Sequence, residues 1–426
     1  MVKLSKHDQP YNLTHPLSHL PPNYNFELKK VLSTITRHKI RKVGLQLPDG
    51  LLKYSTILSD AIESNTGARV ITLADVVYGA CCVDTDADVE LIVHYGHSCI
   101  VGSGGMKVLY VFVDVFFESD HLERMVRRMI DDDCGGRRGC GKDGESRGCG
   151  KDRESCRDGE SRKCCKDGES RGCGKDGECR GCGKNNNSNN NNSNNDNSNI
   201  NNANLTNDNL TNANLNNPPN ITVLGTVQYR HIVYKLNKMF NLPSYQVKPL
   251  STGEVLGCTS PKLKTTTVIF ISDGRFHLES LMIANPTAQF YRYCPFNKRM
   301  YREHYDHERM YAVRAQQRGA FLRAQRVGII NGTLGAQGNS RIVRNVHDAL
   351  VRMGKEVYVF NMEEVKESNL RFAFVEGYVQ VCCPRLSIDW GHLYGTFMLC
   401  AYEVFNEKIQ AMDFYSKEEV QPWNNH

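Results

Sequence analysis

At 426 residues the chain has room for two or three domains and a substantial core. A net charge of +6 over that length provides no basic stripe for a nucleic acid, and no apolar run reaches the roughly 18 residues that cross a bilayer. The start, Met-Val-Lys-Leu-Ser-Lys, lacks the apolar stretch of a secretion signal. A cytoplasmic protein is therefore expected, with no membrane or nucleic-acid partner, and in a reducing compartment its 17 cysteines need a role other than disulfides.

The first unit, residues 20–130, opens with a predicted strand, Arg41–Leu47. The turn Pro48-Asp-Gly50 starts a helix through about Glu63, and Ala68–Leu73 reads as a second strand. A loop carrying Tyr78-Gly-Ala-Cys81 leads to a third strand, Glu90–Tyr95, and Val108–Phe117 reads as one further buried strand. Residues 131–218 are different. Nine cysteines ride there on a Gly-rich repeat of mixed charge, and 20 of the 34 residues from 185 to 218 are Asn. Such composition cannot bury enough apolar surface to fold, so a low-complexity, disordered insert is expected. Within it, Cys179-Arg-Gly-Cys182 reads as a product of the repeat rather than a zinc half-site.

The pattern resumes over 219–320: a strand from Ile221 to Gly225, a helix near Gln228–Phe240, a strand at Tyr245–Pro249, a loop with Leu256-Gly-Cys258, and a strand at Thr267–Ile271. A third unit, 321–426, has a strand at Arg326–Ile330 and a helix over Ser340–Met353. Strands at Glu356–Phe360 and Gly377–Val381 follow, the latter running into Cys382-Cys383. First and third strands lie 48, 46 and 51 residues apart in the three units (43 to 91, 221 to 267, 327 to 378). Short apolar strands alternating with helices predict α/β units with parallel sheets, and ligands in such units bind beyond the carboxyl ends of the strands. Each unit has a cysteine in a loop at that end.

Three isolated cysteines suit a [4Fe–4S] cluster with one open iron better than a structural zinc, which takes four ligands. The usual CxxxCxxC signature of reductive S-adenosylmethionine cleavage is absent, and the loops alone fit an ordinary nucleotide-binding domain equally well. Longer motifs separate these readings. Tyr78-Gly-Ala-Cys-Cys-Val-Asp84, Val93-His-Tyr-Gly-His-Ser-Cys99 and Gly253-Glu-Val-Leu-Gly-Cys-Thr-Ser-Pro261 occur in order with Asp273-Gly-Arg-Phe-His-Leu-Glu-Ser280 and Val379-Gln-Val-Cys-Cys-Pro-Arg-Leu-Ser-Ile-Asp-Trp-Gly391. Together they resemble the diphthamide-synthesis family of 2-(3-amino-3-carboxypropyl)histidine synthases, on the side of its catalytic subunit one. The resemblance runs from about Leu20 to Phe414, skipping the insert.

The resemblance implies three related Rossmann-like domains around a central cluster, with one ligand from each: by motif, Cys81, Cys258 and Cys383. It implies transfer of the 3-amino-3-carboxypropyl group of S-adenosylmethionine to C2 of a histidine in translation elongation factor 2, by reductive cleavage of the Cγ–S bond. It also implies a heterodimer with the paralogous subunit two and an electron-donor protein. Cys82 and Cys382 are expected to face away from the site; Cys99, Cys294 and Cys400 are expected to be core or surface thiols. The segment from Cys82 to Glu90 is shorter than the family pattern, so the helix expected there is cut or replaced by a turn.

For the substrate, the loops after the first strands have small residues that let backbone amides approach a ligand. They supply Gln46 and Asp49, Gly225 and Gln228, and Gly332, Thr333, Gly335 and Gln337; plain turn chemistry is the alternative. Arg385 either pairs with the methionyl carboxylate or makes an interdomain ion pair. His97 and His277 read as cleft residues or satisfied structural ones, while Glu303, His304, His307 and Glu308 read as a solvated helix face rather than a metal site. Two rival functions remain from sequence: an inactive scaffold subunit, against which the complete Cys258 motif speaks, and an iron-free nucleotide-binding module.

Overall fold

The computed structural model describes residues 16–136 and 220–426, apart from 75, 76, 78, 85, 101, 103 and 408–410. Beyond residue 136, the insert expected at 131–218 lies outside the described residues, and the Cys179–Cys182 pair with it.

The first unit contains β1 (Tyr24–Asn25), α1 (Leu28–His38), β2 (Lys42–Gln46), α2 (Asp49–Leu52), α3 (Ser55–Thr66), β3 (Arg69–Leu73), β4 (Leu91–Tyr95), β5 (Val108–Val111), β6 (Asp114–Val115) and α4 (Asp120–Gly136). Helix α1 forms because Leu28, Val31, Leu32 and Ile35 recur at helical spacing and bury one stripe. Its sheet has the order β3-β2-β4-β5, all parallel. The single strand expected over 108–117 is in fact two. Val113 takes a left-handed φ of 58°, which breaks the run, and β6 then pairs antiparallel with β1 instead of joining the sheet. The helix expected from the 48–50 turn is likewise broken into α2 and α3, and α4 continues to Gly136, past the expected start of the insert.

The second unit contains β7 (Ile221–Gly225), α5 (Arg230–Met239), β8 (Thr267–Ile271), α6 (Phe276–Ala284), β9 (Gln289–Cys294) and β10 (Arg299–Glu303). Its sheet order is β10-β9-β8-β7, parallel except for the antiparallel β9–β10 hairpin. No strand forms at Tyr245–Pro249. Pro243 and Pro249 remove ladder donors there, and one parallel bridge from Gly225 to Glu254 takes the place of a strand beside β7. Helix α7 (His307–Arg323) leads into the third unit: β11 (Arg326–Gly332), α8 (Ser340–Arg352), β12 (Glu356–Met362), β13 (Gly377–Val381), β14 (Phe397–Cys400) and α9 (Ala401–Phe405). Its parallel sheet runs β12-β11-β13-β14.

The architecture is α/β, as the alternation predicts. Strands β4, β7 and β13 are buried along their whole length, which is why they read as unbroken apolar runs rather than alternating ones. Among the described residues no helix is long and apolar enough to cross a membrane.

Candidate functional site

The three cysteine loops meet. Cys81 sits in one turn of 3-10 helix, Ala80–Cys82, between β3 and β4. Cys258 lies in the loop before β8, and Cys383 follows directly on β13. All three are half-buried. The Cys81 thiol is raised well above its ordinary pKa, first by its hydrogen bond to Cys82, then by burial and by the Cys82, Cys258 and Cys383 thiols beside it. Burial, then Cys383, pushes Cys258 up; burial pushes Cys383 up, against the pull of nearby backbone N–H groups and Arg385.

Buried polar residues at the ends of apolar strands hold these loops. Gln46, at the end of β2, donates to the Cys82 carbonyl at 2.7 Å. Its oxygen accepts from His94 Nδ1 at 2.9 Å, and His94 Nε2 in turn meets His97 Nδ1 at 3.1 Å. Gln380 does the same for β13: its amide donates to the Cys383 carbonyl and to Ser387 Oγ, both at 2.9 Å, and its oxygen accepts from the Cys382 N–H at 2.7 Å. His94 and Gln380 went unremarked in the sequence. The signal was present, a polar side chain inside an otherwise apolar parallel strand.

The loop after β11 packs onto the Cys81 turn. Ala336 N–H donates to the Cys81 carbonyl at 2.7 Å, and Gln337 Nε2 reaches the Cys81 and Cys82 sulfurs at 3.7 and 3.6 Å. Gly335 has φ 54°, and any Cβ there would run into the Cys81 carbonyl. A Cβ on Gly332 would lie 2.7 Å from the Cys382 sulfur. Thr333 uses its N–H on the Met362 carbonyl. In the second unit, Gln228 Nε2 donates to the Gly96 carbonyl of the first at 2.8 Å, and a Cβ on Gly225 would lie 2.8 Å from the Ile271 carbonyl. Asp49 is exposed on α2.

The C-terminal segment joins the Cys258 and Cys81 loops. Phe414 N–H donates to the Cys258 carbonyl at 3.2 Å, and Tyr415 N–H to Thr259 Oγ1 at 3.0 Å. Farther along, Asn425 Nδ2 donates to the Ala336 carbonyl at 3.0 Å. Tyr415 is 2% exposed. Burial, then Cys81, Cys258 and Cys383, hold its hydroxyl well above the usual pKa.

Two cysteine expectations divide. Cys382 packs among Ile330, Leu370, Tyr378 and Met398, and burial, then the neighbouring Cys383 thiol, pushes its pKa to about 12. Cys82 does not turn away: its sulfur is 3.8 Å from that of Cys81, because the tight 3-10 turn brings successive side chains together. Cys294 and Cys400 are buried and Cys99 is exposed, as expected.

Arg385 is 2% exposed, and protein groups take its donors. Nε bonds Asp389 at 2.9–3.0 Å, Nη1 the carbonyls of Phe276 and Gly257 at 2.7 and 3.4 Å, and Nη2 Glu279 and Asp389 at 2.7 and 2.9 Å. Here the guanidinium joins the second and third units, the alternative that the sequence left open, and leaves no fork for a ligand carboxylate. Burial, reinforced by neighbouring charge, lowers His97 and His277 to about 4, so both imidazoles are neutral at pH 7. Glu303 lies on β10, not on a helix, and pairs with Arg275 and Arg292.

Beside Cys382 and Cys383 a cleft of about 540 Å³ is lined by Phe276, Leu334, Gln337, Glu363, Glu364, Arg385 and Trp390. Among the described residues, no three or more His, Cys, Asp or Glu side chains are spaced to hold a single metal ion. The cysteine trio has a different character. Three buried thiols whose pKa values stand above the ordinary one are a donor set that a bound cationic core would ionise, since a coordinated thiol loses its proton. These residues fit an iron–sulfur cluster.

The chain is similar to proteins of one kind. The family model for diphthamide synthesis proteins matches residues 47–136 and 196–408. The 2-(3-amino-3-carboxypropyl)histidine synthase subunit 1 of Encephalitozoon cuniculi is 36% identical, over 96% of this chain and 96% of that protein. The proteins of the same name from Mus musculus and Saccharomyces cerevisiae are 33% and 31% identical, over 95% of this chain and 78% and 81% of theirs. Dph2 from Pyrococcus horikoshii, also solved with a 4Fe-4S cluster, shares the fold: TM-score 0.61 at 18% identity, over 94% of this chain and 98% of that one. The extent of these matches shows that this chain belongs to the diphthamide synthesis family.

Proposed function

We propose that this chain transfers the 3-amino-3-carboxypropyl group of S-adenosylmethionine to C2 of a histidine in translation elongation factor 2, the first step of diphthamide synthesis. It acts in the cytoplasm with the paralogous subunit two and an electron-donor protein. The observation that carries this reading is the convergence of Cys81, Cys258 and Cys383, one from each unit, beside the cleft at Cys383. These three thiolates would hold a [4Fe–4S] cluster, which when bound supplies the electron that breaks the Cγ–S bond of the methionine part.

The rest falls to the chain itself. Phe276 and Trp390, 42% and 50% exposed, offer aromatic faces on which a purine would stack. Glu363 and Glu364 offer acceptors for ribose hydroxyls. Gln337, Gln46 and Gln380 hold the cysteine loops so that binding a substrate does not rearrange them.

The test is product analysis. With its partner subunit, S-adenosylmethionine, dithionite and elongation factor 2, the protein should release methylthioadenosine, and the target histidine should gain the aminocarboxypropyl mass only when reductant is present. Deoxyadenosine as the main product, or equal modification without reductant, would overturn the reading.

A further inference from the structure

Among the described residues, Tyr415 places a buried phenol at the meeting point of the cysteine loops, and nothing in the transfer chemistry above uses it. Its position is fixed from both sides. Its N–H is bonded to Thr259 Oγ1, one residue from Cys258. Its ring is buried in the same apolar cluster as Ala80, Leu250 and Val381, against Cys81 and Cys258, and stands edge-on to Phe414 at 4.9 Å. Asp413 pairs across a bridge with Thr259, so the residues on either side are tied down as well. The hydroxyl of this fixed ring comes within hydrogen-bonding reach of the Cys81 sulfur, in the cluster where Cys81 and Cys258 both pack.

Other side chains also reach the cysteine sulfurs. Gln337 Nε2 divides itself between Cys81 and Cys82 at 3.7 and 3.6 Å. Thr259 Oγ1 approaches Cys258 at 3.9 Å while also accepting from Tyr415 N–H. Backbone N–H groups of Arg385 and Leu386 serve the Cys383 sulfur, whereas at Cys81 the buried hydroxyl is that of Tyr415. Between two thiols and a phenol either partner can donate, but a metal-bound cysteine has no proton, so there the phenol must be the donor.

We propose that Tyr415 is a positioning residue that sets the reduction potential of the cluster held by Cys81, Cys258 and Cys383, through an O–H···S bond to Cys81. This rests on the cluster reading above. When one electron arrives from a reductant such as dithionite, no bond is made or broken, and part of the added negative charge falls on the cysteine sulfurs. A hydrogen-bond donor at a sulfur stabilises that reduced state more than the oxidised one, and so raises the potential. By this account the C-terminal segment does more than close the fold. It delivers the group that makes the cluster easier to reduce.

The experiment is a redox titration followed by electron paramagnetic resonance, on the reconstituted full-length protein with its partner subunit. Three forms are compared: wild type, Tyr415→Phe, and protein with 3-fluorotyrosine at 415, whose more acidic hydroxyl is a stronger donor of nearly the same size. Iron and sulfide are measured in each. Expected is a midpoint more negative than wild type for Tyr415→Phe and more positive for the fluorinated form, at equal iron content. A purely structural role would move both in the same direction or neither. Identical midpoints, or shifts of the same sign, overturn the proposal while leaving the cluster itself intact. Should Tyr415→Phe fail to load iron, the fluorinated form alone decides: a positive shift supports the proposal and no shift overturns it. A wild-type protein that binds no iron overturns the proposed function, and this inference with it.

Discussion

Cys81 and Cys258 reach the site by one route and Cys383 by another. The first two sit in the crossover that precedes the third strand position of their units, ahead of β4 and β8, whereas Cys383 stands directly at the end of β13. The third unit's own crossover, between β12 and β13, has no cysteine and instead lends Glu363, Glu364 and Val365 to the cleft wall. The sheets repeat, the loops do not. A parallel strand pair is fixed by burial on both faces and tolerates little change, while its connecting loops are free to take up chemistry. Sheet two makes the same point at its edge: the loop that replaces a strand beside β7 is released from the ladder and runs on to present Cys258.

Because the loops differ, so do the three junctions that align them, and each is open to a separate perturbation. The junction between the second and third units rests on charge. Arg385→Ala would leave Glu279 and Asp389 facing each other without their cation, and breaking such a buried pair costs about 3–5 kcal/mol. We expect a fall in Tm and loss of iron on purification. Arg385→Lys should rescue little, since one ammonium cannot replace a fork engaged on five sides. A stable, iron-replete Arg385→Ala protein would show that the cysteines need no such clamp.

The junction between the third and first units depends on close backbone approach. Gly335→Ala would force a non-glycine residue to φ 54°, at about 1–2 kcal/mol, and drive a methyl into the Cys81 carbonyl, at about 1–3 kcal/mol more. Thermal melting should report the sum, and iron occupancy should fall because the displaced atom belongs to the Cys81 loop. The first and second units meet through ion pairs such as Arg230–Asp114 and Lys235–Glu123 and, nearer the cysteines, through neutral imidazoles, where the smallest effect per residue is expected. His97 and His277 have folded pKa values of about 4 against 6.5 when unfolded. Below pH 6.5 the unfolded chain therefore binds more protons, and the stability these groups contribute above that pH is lost as pH falls toward 4. Asp413, raised to about 6 by burial, works in the opposite sense, so the measurement is the difference in Tm between wild type and His97→Gln/His277→Gln. Converted to unfolding free energy, that difference should shrink by about 2 kcal/mol per histidine from pH 7 to pH 5; a constant difference would contradict the assignment.

Much of this was legible in the residues. Strand β13 spans the predicted Gly377–Val381, and the repeated spacing of 48, 46 and 51 residues marks the strand pairs β2–β4, β7–β8 and β11–β13. What failed has physical causes. Tyr245–Pro249 has the apolar content of a strand but lacks the donors for an edge ladder. Val108–Phe117 reads as continuous because periodicity carries no trace of the backbone reversal at Val113. Cys82 was expected to face elsewhere as the next residue along, but it lies in a 3-10 turn that brings its sulfur to that of Cys81. Tyr415 was hidden for another reason: the C-terminal segment has no periodic pattern, and its importance comes only from contacts more than 150 residues distant, such as that with Thr259.

The central claim is that three cysteines from three sheets hold one cluster. The most direct measurement is iron and sulfide content, with the electron paramagnetic resonance spectrum of the reduced protein, for Cys81→Ala, Cys258→Ala and Cys383→Ala alongside Cys82→Ala and Cys382→Ala. The account predicts that each of the first three loses the cluster and its signal, while the last two keep both. A Cys258→Ala protein that binds wild-type iron with an unchanged spectrum would contradict it.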